Sequence, residues 1–538
     1  LNVALYGLRS ERNWGIGDFG DLAAFGLWAR EALGVELIGL NPLHAIPNRY
    51  PYNISPYLPT SAYFRNPIYL DVESTGEFGG CEAARALWNS PVVQAEVARL
   101  RQTEFVEYEP VWALKQKFLR LLYRSLEGER RFRFNDWFER PEQARLRAFA
   151  CFCALDEVIH EQNPDTWVWT DWPVEYRDPG SDSVRRFAAE HEELIRMFAY
   201  QQWLVDEQLA AVQEQLRDAG MEVGLYHDLA LATDRYGFDV WFEREGFVSD
   251  CRVGSPPDGF SPDGQDWSFP PPRASYWEST GYAGFRELIR ANARHGGALR
   301  FDHVMRFYRL YWIPEGFSAQ DGAYVRYPAP ALLRVIAEES RRQGFLVIGE
   351  DLGTVPGELR SLLDEFGVLG YRLLIFEKDG ERFRRPEEYP ALAVASVTTH
   401  DLPTLFGFPR GKDIEARRAA GLIREEDAIQ QMSERLADQE AWNLALGLTK
   451  NPADPEELSL AAIEYLARTP SAILMLNLEE VTGEENQQNL PGSTAEYPNW
   501  RRKAKVRIEE LRGDSTVRQR VVAIEKVMEK ERRIAGSR

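Results

Sequence analysis

Cysteine is scarce in this chain of 538 residues, and long apolar runs are missing. The four cysteines, Cys81, Cys151, Cys153 and Cys251, show neither C-x-x-C pairing nor the spacing of a metal site. No stretch approaches the roughly 18 apolar residues that a membrane-spanning helix needs, and the first dozen residues do not have the pattern of a signal peptide. We therefore expect a reduced, cytoplasmic protein with no metal, no cofactor and no association with membranes.

Positive charge is also in short supply. The 64 Lys and Arg residues are outnumbered by 84 Asp and Glu residues, which gives a formal net charge of −20. Nucleic acids and anionic membranes bind to basic surfaces, so this balance disfavours both as partners but is compatible with uncharged sugars. The 15 Trp and 22 Tyr residues favour sugars, since aromatic rings pack on the C–H faces of sugar rings. Ordinary core packing is still the commoner role for any one tryptophan.

Short apolar runs recur along the chain, and most of them end in polar or acidic residues. Runs such as LVIG and AILML do not alternate between apolar and polar residues, which is typical of parallel strands covered on both faces. Helical patterns such as 332–344 separate most of these runs. The sequence therefore predicts an α/β fold, a (β/α)8 TIM barrel whose chemistry lies at the carboxyl ends of its strands. The eight predicted strands are 35–43, 66–73, 221–230, 298–303, 345–353, 371–379, 394–401 and 472–480.

Large insertions interrupt this barrel pattern. Two of them, 82–220 and 408–470, are mainly helical in pattern. A third stretch, 251–276, is so rich in Pro, Gly and Asp that it predicts a long loop without regular structure. We expect this loop to lie near the following strand, where its Pro content and Trp267 suit a lid. The predicted divisions are 1–81 for the first part of the barrel, 82–220 for a helical subdomain, 221–407 for the central strands, 408–470 for a helical insertion and 471–538 for the last strand with a helical tail.

The segment GIGDFG (15–20) matches the G-x-G-x-x-G pattern of dinucleotide-binding folds. That pattern requires a strand before it, and RSERNW is not a strand-like sequence. We interpret the segment as a glycine-rich turn that precedes a helix starting near Asp21.

Three carboxylates follow predicted strands directly. Asp302 closes ALRFD, Glu350 closes FLVIGE, and Asp401 closes VASVTTHD. Burying a carboxylate costs several kcal/mol unless it is paired, so stability alone explains such positions poorly. Any one of them could be a structural ion pair, but three at strand ends of one barrel converge on one mouth. Cleavage of a glycosidic bond requires such an arrangement, with one carboxylate as nucleophile and another as proton donor.

Neighbouring polar residues suggest different roles for these carboxylates. Arg300 precedes Asp302 by two residues, so both side chains point the same way from a strand, and the arginine would keep Asp302 ionised. Glu350 needs a raised pKa, because a proton donor must stay protonated until it acts. His303 and His400 are candidates for hydrogen bonds to sugar hydroxyls, although a lone histidine is more often a core residue.

A family resemblance rests on these same residues. LRFDH (299–303), IGEDLG (348–353) and TTHD (398–401) resemble the catalytic motifs of the 4-α-glucanotransferases, also called amylomaltases or disproportionating enzymes, a branch of the α-amylase clan. Further segments resemble the family in family order over 1–503: NPLHA (41–45), SPYLPTSAYFRNPIYLDV (55–72), GLYHDLA (224–230), GSPPDGFSPDGQDW (254–267) and NLPGSTAEYPNWRRK (489–503).

The resemblance implies a role for each motif residue. Asp302 would attack the anomeric carbon and form a glycosyl-enzyme, Glu350 would act as acid and base, and Asp401 would bind ring hydroxyls and stabilise the transition state, with about 5–5.5 Å between Asp302 and Glu350. It also implies a lid around 254–268, whose Ser268-Phe269-Pro270 departs from the Gly-x-Pro common in the family. The implied donor-subsite residues are Asp228, Arg300, His303 and His400, and the implied sugar-stacking residues are Tyr57 and Trp267.

The carboxylates by themselves leave the acceptor open. A transferase passes the glucanosyl unit of an α-1,4-glucan to the 4-hydroxyl of glucose or another glucan, whereas an α-amylase-type hydrolase passes it to water. The resemblance favours the transferase. A non-catalytic maltodextrin-binding protein is the remote alternative, since such a protein would be expected to have lost a carboxylate.

Overall fold

The computed structural model describes residues 1–49, 54–257, 263–380, 382–449 and 454–531. Parts of the predicted segments lie outside these described residues. They are 50–53 of the first part of the barrel, 258–262 of the predicted lid, 381 of the central segment, 450–453 of the second helical insertion and 532–538 of the predicted tail.

Eight parallel strands form the central sheet, in the order in which they occur along the chain. The sheet closes into a barrel because the Asn2 amide donates to the Leu476 carbonyl at 2.7 Å, which joins the first strand to the end of the last. The predicted (β/α)8 fold is thereby confirmed. The strands are Asn2–Val3, Leu37–Leu40, Gly224–Leu229, Ala298–Phe301, Leu346–Gly349, Leu369–Leu373, Ala393–Ser396 and Ile473–Met475.

One predicted strand is wrong. Within 66–73 the chain forms a 3-10 turn, Pro67–Tyr69, because Pro67 has no N–H for a sheet and the Asn66 side chain accepts a hydrogen bond from the Ile68 amide at 3.1 Å. The strand that completes the set of eight is instead Asn2–Val3, the first strand along the chain. Two residues are too few to give a periodic signal, which is why the pattern does not show this strand.

The helices around the barrel form its outer layer. Between Leu369–Leu373 and Ala393–Ser396, the described part of the chain has a short hairpin in place of an α-helix. No helix among the described residues is long and apolar enough to cross a membrane. The helices of the outer layer are Phe19–Leu33, Phe238–Phe242, Ala274–Ser279, Ala283–Ala293, Ala329–Gln343, Gly357–Glu365, Leu478–Thr482 and Ser515–Lys530.

Both large insertions contain helices. Between residues 408 and 470 these are Lys412–Ala419, Glu425–Leu446 and Pro455–Ala467. Between residues 82 and 220 they are Glu82–Trp88, Pro91–Gln102, Tyr108–Arg124, Gly128–Glu139, Ala144–Gln162, Asp182–Glu190 and Glu192–Asp218.

The turn at GIGDFG leads into the helix Phe19–Leu33. Asp18 caps this helix, since its side chain accepts from the Asp21 amide at 2.9 Å and the Asp21 carboxylate accepts from the Asp18 amide. Such reciprocal capping stabilises a helix start by roughly 1 kcal/mol. The glycines therefore serve a turn.

The predicted lid has more regular structure than its composition suggests. Cys251–Ser255 and Gln265–Asp266 are strands of a four-stranded antiparallel sheet with Arg309–Pro314 and Ala323–Arg326. The prediction of a loop without regular structure across 251–276 is therefore wrong. Tertiary pairing overrides local propensity here, because Arg309–Pro314 offers its edge to Cys251–Ser255.

Because His227 is buried on the barrel strand Gly224–Leu229, we expect the stability of the protein to depend on pH. Burial lowers the pKa of His227 to about 3, so between that value and about 6.5 only the unfolded chain takes up this proton. Stability should therefore fall as the pH falls, by about 2 kcal/mol at pH 5.

The matched variant is His227→Gln, whose amide can still donate to the His295 carbonyl that faces Nε2 at 3.1 Å. Urea unfolding at pH 7.5 and pH 5 checks this prediction. The wild type should lose about 2 kcal/mol more than the variant over this interval, and an equal loss in both proteins would contradict it.

Candidate active site

The three candidate carboxylates lie around one cavity. Asp302 directly follows the strand Ala298–Phe301, Glu350 directly follows Leu346–Gly349, and Asp401 lies a few residues beyond Ala393–Ser396. The cavity has a volume of about 840 Å³. Parallel strands bring their carboxyl ends to one mouth of a barrel, so residues that are far apart in sequence meet there.

Arg300 holds two of the site's carboxylates. It is in register with Asp228 on the neighbouring strand, and its Nη1 lies 2.7 Å from Asp228 Oδ2 while Nη2 lies 3.0 Å from Asp302 Oδ1. Burial disfavours the charged guanidinium, but the two carboxylates outweigh burial and raise the pKa of Arg300. Asp302 is therefore an ion-paired carboxylate, 21% exposed, at the wall of the cavity.

Glu350 has a different environment. Its Oε2 accepts from the His303 amide at 2.9 Å and its Oε1 accepts from the Leu352 amide at 2.7 Å. His303 presents this amide from a left-handed backbone conformation, with φ of 49°. Burial raises the pKa of Glu350 to about 7, against the opposing charge of Arg300 and with support from Asp302. Near neutral pH, Glu350 can therefore both donate and accept a proton.

Asp401 is more exposed than Asp302, with 44% of its side chain accessible. His400 Nε2 lies 3.3 Å from its Oδ2, and the Asn489 side chain donates to its Oδ1 at 2.6 Å. Burial raises the pKa of Asp401, but His400 and Asn489 outweigh burial, so that the net shift is downward. Asp401 is thus held in its charged form.

The pKa values of the two histidines are shifted in opposite directions. Burial lowers the pKa of His303 to about 4, so its imidazole is neutral at pH 7. Burial also lowers the pKa of His400, but the adjacent Asp401 more than offsets burial and the pKa is raised. Both imidazoles face the same cavity.

Tyr57 and Trp267 supply aromatic walls. The Tyr57 hydroxyl donates to Asp228 Oδ2 at 2.7 Å, and its ring stacks on His400 with centroids 4.9 Å apart. The Trp267 ring meets His303 edge-on at 5.3 Å. Both aromatic residues line the cavity of about 840 Å³, and Trp267 extends from the edge of the small antiparallel sheet.

All nine predicted site residues lie in one connected region. Seven line the cavity of about 840 Å³, while Asp228 and Arg300 line a smaller cavity of about 80 Å³. Tyr57 and His400 line both cavities and so connect them. Among the described residues no cluster of His, Cys, Asp and Glu could hold a metal ion.

The comparisons with known proteins agree with this geometry. A sequence profile of the 4-alpha-glucanotransferase family matches residues 3–508. The chain belongs to the 4-alpha-glucanotransferase family. The predicted family and the predicted glucan-transferring activity are thereby confirmed.

Individual relatives support the assignment over nearly the whole chain. The 4-alpha-glucanotransferase of Haemophilus influenzae is 36% identical over 524 residues, which cover 94% of this chain and 75% of the relative. That of Mycobacterium tuberculosis strain H37Rv is 38% identical over 525 residues, which cover 93% of this chain and 70% of the relative.

Solved structures support the fold of the glucanotransferase. The crystal structure of amylomaltase from Corynebacterium glutamicum superposes with a TM-score of 0.85 at 32% identity, covering 97% of this chain and 74% of that one. Amylomaltase from Streptococcus agalactiae in complex with acarbose has a TM-score of 0.80 at 18% identity, covering 99% of this chain and 98% of that one. At that identity the second likeness shows the fold alone.

Two residues at the glucanotransferase site were not predicted from the sequence. Asn489 holds Asp401, and the Trp500 ring lies 5.3 Å from both Tyr57 and His400. Both belong to the segment NLPGSTAEYPNWRRK, which the resemblance covers without giving any of its residues a role. The sequence signal for Asn489 is a polar amide in a Pro- and Gly-rich loop, the kind of segment where binding residues concentrate.

Replacing Asn489 by Leu is expected to lower kcat/KM for maltotriose about ten- to a hundredfold. A hydrogen bond to a charged group is worth about 1.5–3 kcal/mol, and without it Asp401 is less well held in its charged form. The acid limb of the pH–rate profile should also move to higher pH, since removing a donor raises the pKa of Asp401. An unchanged acid limb would contradict this role for Asn489.

Proposed function

We propose that this glucanotransferase works by a retaining mechanism in which Asp302 is the nucleophile and Glu350 is the acid and base. The observation that carries the proposal is the contrast between the two carboxyl groups. Arg300 pairs with Asp302 at 3.0 Å, whereas burial raises the pKa of Glu350 to about 7. A charged carboxylate beside a protonated one is the pair that glycoside cleavage with retention requires.

In the first half-reaction, Asp302 forms a bond to the anomeric carbon of the donor glucan. The bond from that carbon to the leaving O4 breaks, and Glu350 gives its proton to this oxygen. In the second half-reaction, Glu350 takes the proton from the 4-hydroxyl of the acceptor, whose oxygen displaces Asp302. Two displacements restore the α-configuration, and they require a gap of about 5–5.5 Å between the two carboxyl groups.

The remaining residues bind and orient the donor and acceptor sugars. We assign Asp401 to ring hydroxyls, where a fixed negative charge also stabilises an oxocarbenium-like transition state. The neutral imidazole of His303 and the pair of Asp228 with Arg300 offer hydrogen-bond partners to other hydroxyls. Tyr57 and Trp267 present ring faces or edges in the cavity, which suits the apolar faces of glucose units.

A glucan or glucose acts as the acceptor when it occupies the open side of the cavity and displaces water from it. The cavity of about 840 Å³ extends from Glu350 along the loop that contains Asn489 and along Trp267, which leaves room for sugars on the acceptor side. An occupied acceptor side excludes water from the glycosyl-enzyme. An α-amylase-type hydrolase is the second candidate, since the same carboxylates serve both reactions.

Purified enzyme incubated with maltotriose separates these two candidates. A transferase releases glucose and builds maltodextrins longer than the substrate, whereas a hydrolase only shortens it. We expect each longer maltodextrin to be matched by one shorter product, with the total number of glycosidic bonds unchanged. Trp267→Ala is expected to shift the balance toward net hydrolysis by opening the acceptor side to water. A chromatographic profile that contains only products shorter than maltotriose would contradict transfer.

The proposed partners are α-1,4-glucans and glucose, with no nucleic acid and no membrane. The four cysteines are free thiols, two of them buried, and this supports a reducing compartment, so we place the enzyme in the cytoplasm.

A further inference from the structure

A second polar cavity, of about 250 Å³, lies away from the carboxylates. Three segments meet around it: the loop after the first barrel strand, the end of the helix Pro91–Gln102, and the stretch 503–507. No residue that lines this cavity also lines the active-site cavity. We call it the basic cavity, because its charged lining residues are Arg9, Arg101, Lys503, Arg507 and the single acid Glu11.

Among the described residues, three of the four cations in the basic cavity have no direct ion pair, and carboxylates act on Arg101 and Lys503 only at longer range. Arg507 pairs with Glu11 at 3.4 Å. Within the described part of the chain, Arg9, Arg101 and Lys503 make no ion pair. Three unpaired cations around one cavity are unexpected in a protein whose net charge is −20, because positive groups this close repel one another.

Backbone carbonyls hold all three of these cations in place, and Arg9 donates to those of Ala504 and Lys505 at 3.5 Å. Arg101 donates to the carbonyl of Arg12 at 2.8 Å and also to that of Asn13. Lys503 donates to the Leu100 carbonyl at 2.7 Å and to the Thr103 hydroxyl at 2.9 Å. A guanidinium has five N–H donors and an ammonium has three, so both groups keep donors for a ligand.

A purely structural role explains the bonds to carbonyls but not the charge. Lys503 is only 7% exposed, and burial together with the charge of Arg9 lowers its pKa to about 8. A neutral amide could make the same carbonyl contacts without the cost of a buried, unpaired cation. A bound anion would offset that cost.

We propose that the basic cavity binds a phosphate dianion, either free or carried by a phosphorylated sugar. A phosphate group offers two negative charges and several acceptor oxygens to the donors of Arg9, Arg101 and Lys503. The volume of about 250 Å³ is the volume that about eight water molecules occupy in liquid water. This leaves room beside a phosphate group for part of a sugar.

Ala98 allows a test that deletes none of the contacts described. It is an exposed residue of the helix Pro91–Gln102 and lines the basic cavity. Ala98→Glu places a carboxylate among the cations, whereas Ala98→Gln adds nearly the same volume without charge. Both variants should retain full activity with maltotriose, which checks the fold.

Calorimetric titration with inorganic phosphate and with glucose 1-phosphate measures binding, and glucose serves as the neutral control for the active site. We expect Ala98→Glu to weaken phosphate binding about tenfold or more relative to Ala98→Gln, with affinity falling as salt rises. Tighter binding of glucose 1-phosphate than of phosphate identifies a phosphorylated sugar as the ligand, and equal binding identifies free phosphate. Equal affinities in the two variants, or no saturable binding of either probe at millimolar concentration, would overturn the proposal.

Discussion

Replacing Asp302 by Asn is expected to abolish glucan transfer while leaving the fold and oligosaccharide binding intact. The amide has nearly the shape of the carboxylate, and its oxygen can still accept the hydrogen bond from Arg300, 3.0 Å away in the wild type. A neutral amide cannot form the glycosyl ester, so kcat for maltotriose should fall by a factor on the order of 10⁴ to 10⁶. Disproportionation assays measure this loss.

Two controls separate lost chemistry from lost structure. Asp364→Asn makes the same chemical change on the exposed side of the helix Gly357–Glu365 and should leave kcat unchanged. Calorimetric titration of Asp302→Asn with maltotetraose should give an affinity close to that of the wild type, because the donor-binding residues remain. If Asp302→Asn turned over maltotriose at a rate comparable to the wild type, the proposed nucleophile would be wrong.

The parts of the fold that sequence pattern predicts are those where local and tertiary preferences agree. Apolar runs such as LIGL at 37–40 are buried along their whole length in the parallel sheet, so their composition shows their place. The failures have tertiary causes. Asn2–Val3 is a strand because the barrel has to close on it, and Cys251–Ser255 pairs with a strand that occurs far later in the sequence.

The same distinction applies to the site. Strand-end carboxylates and the two-residue step from Arg300 to Asp302 can be found in sequence, because strand geometry fixes where such side chains point. The partner of Arg300 on the next strand depends on register, which places Asp228 opposite it. Asn489 reaches Asp401 from a loop 88 residues further along the chain, and no local pattern encodes such a contact.

Replacing Glu350 by Gln is expected to lower kcat/KM for maltotriose by a factor of roughly 10² to 10⁴, the usual contribution of a general acid. The wild-type profile should also fall above about pH 7, because the pKa of Glu350 lies at about 7 in the free enzyme and only its protonated form can donate. In the variant this basic limb should disappear. Rates measured from pH 5 to pH 9 check both expectations.

A donor with a good leaving group makes the Glu350 test independent of stability. An α-maltotriosyl fluoride needs little proton donation to form the glycosyl-enzyme, whereas the acceptor hydroxyl still needs Glu350 as its base. In Glu350→Gln the first step should therefore be nearly restored while the second stays slow. Mass spectrometry should then detect a maltotriosyl adduct on the peptide that contains Asp302.

Structural damage gives a different result. Gln can accept only one of the two backbone N–H bonds that reach Glu350 from His303 and Leu352, so the variant should lose about 1–3 kcal/mol of stability. A disturbed fold would slow both steps alike and leave no adduct. Equal loss with the fluoride and with maltotriose, without an adduct, would therefore contradict the role of Glu350 as acid and base. An adduct on Asp302 would support both assignments at once, because the intermediate accumulates only when its formation survives and its breakdown does not.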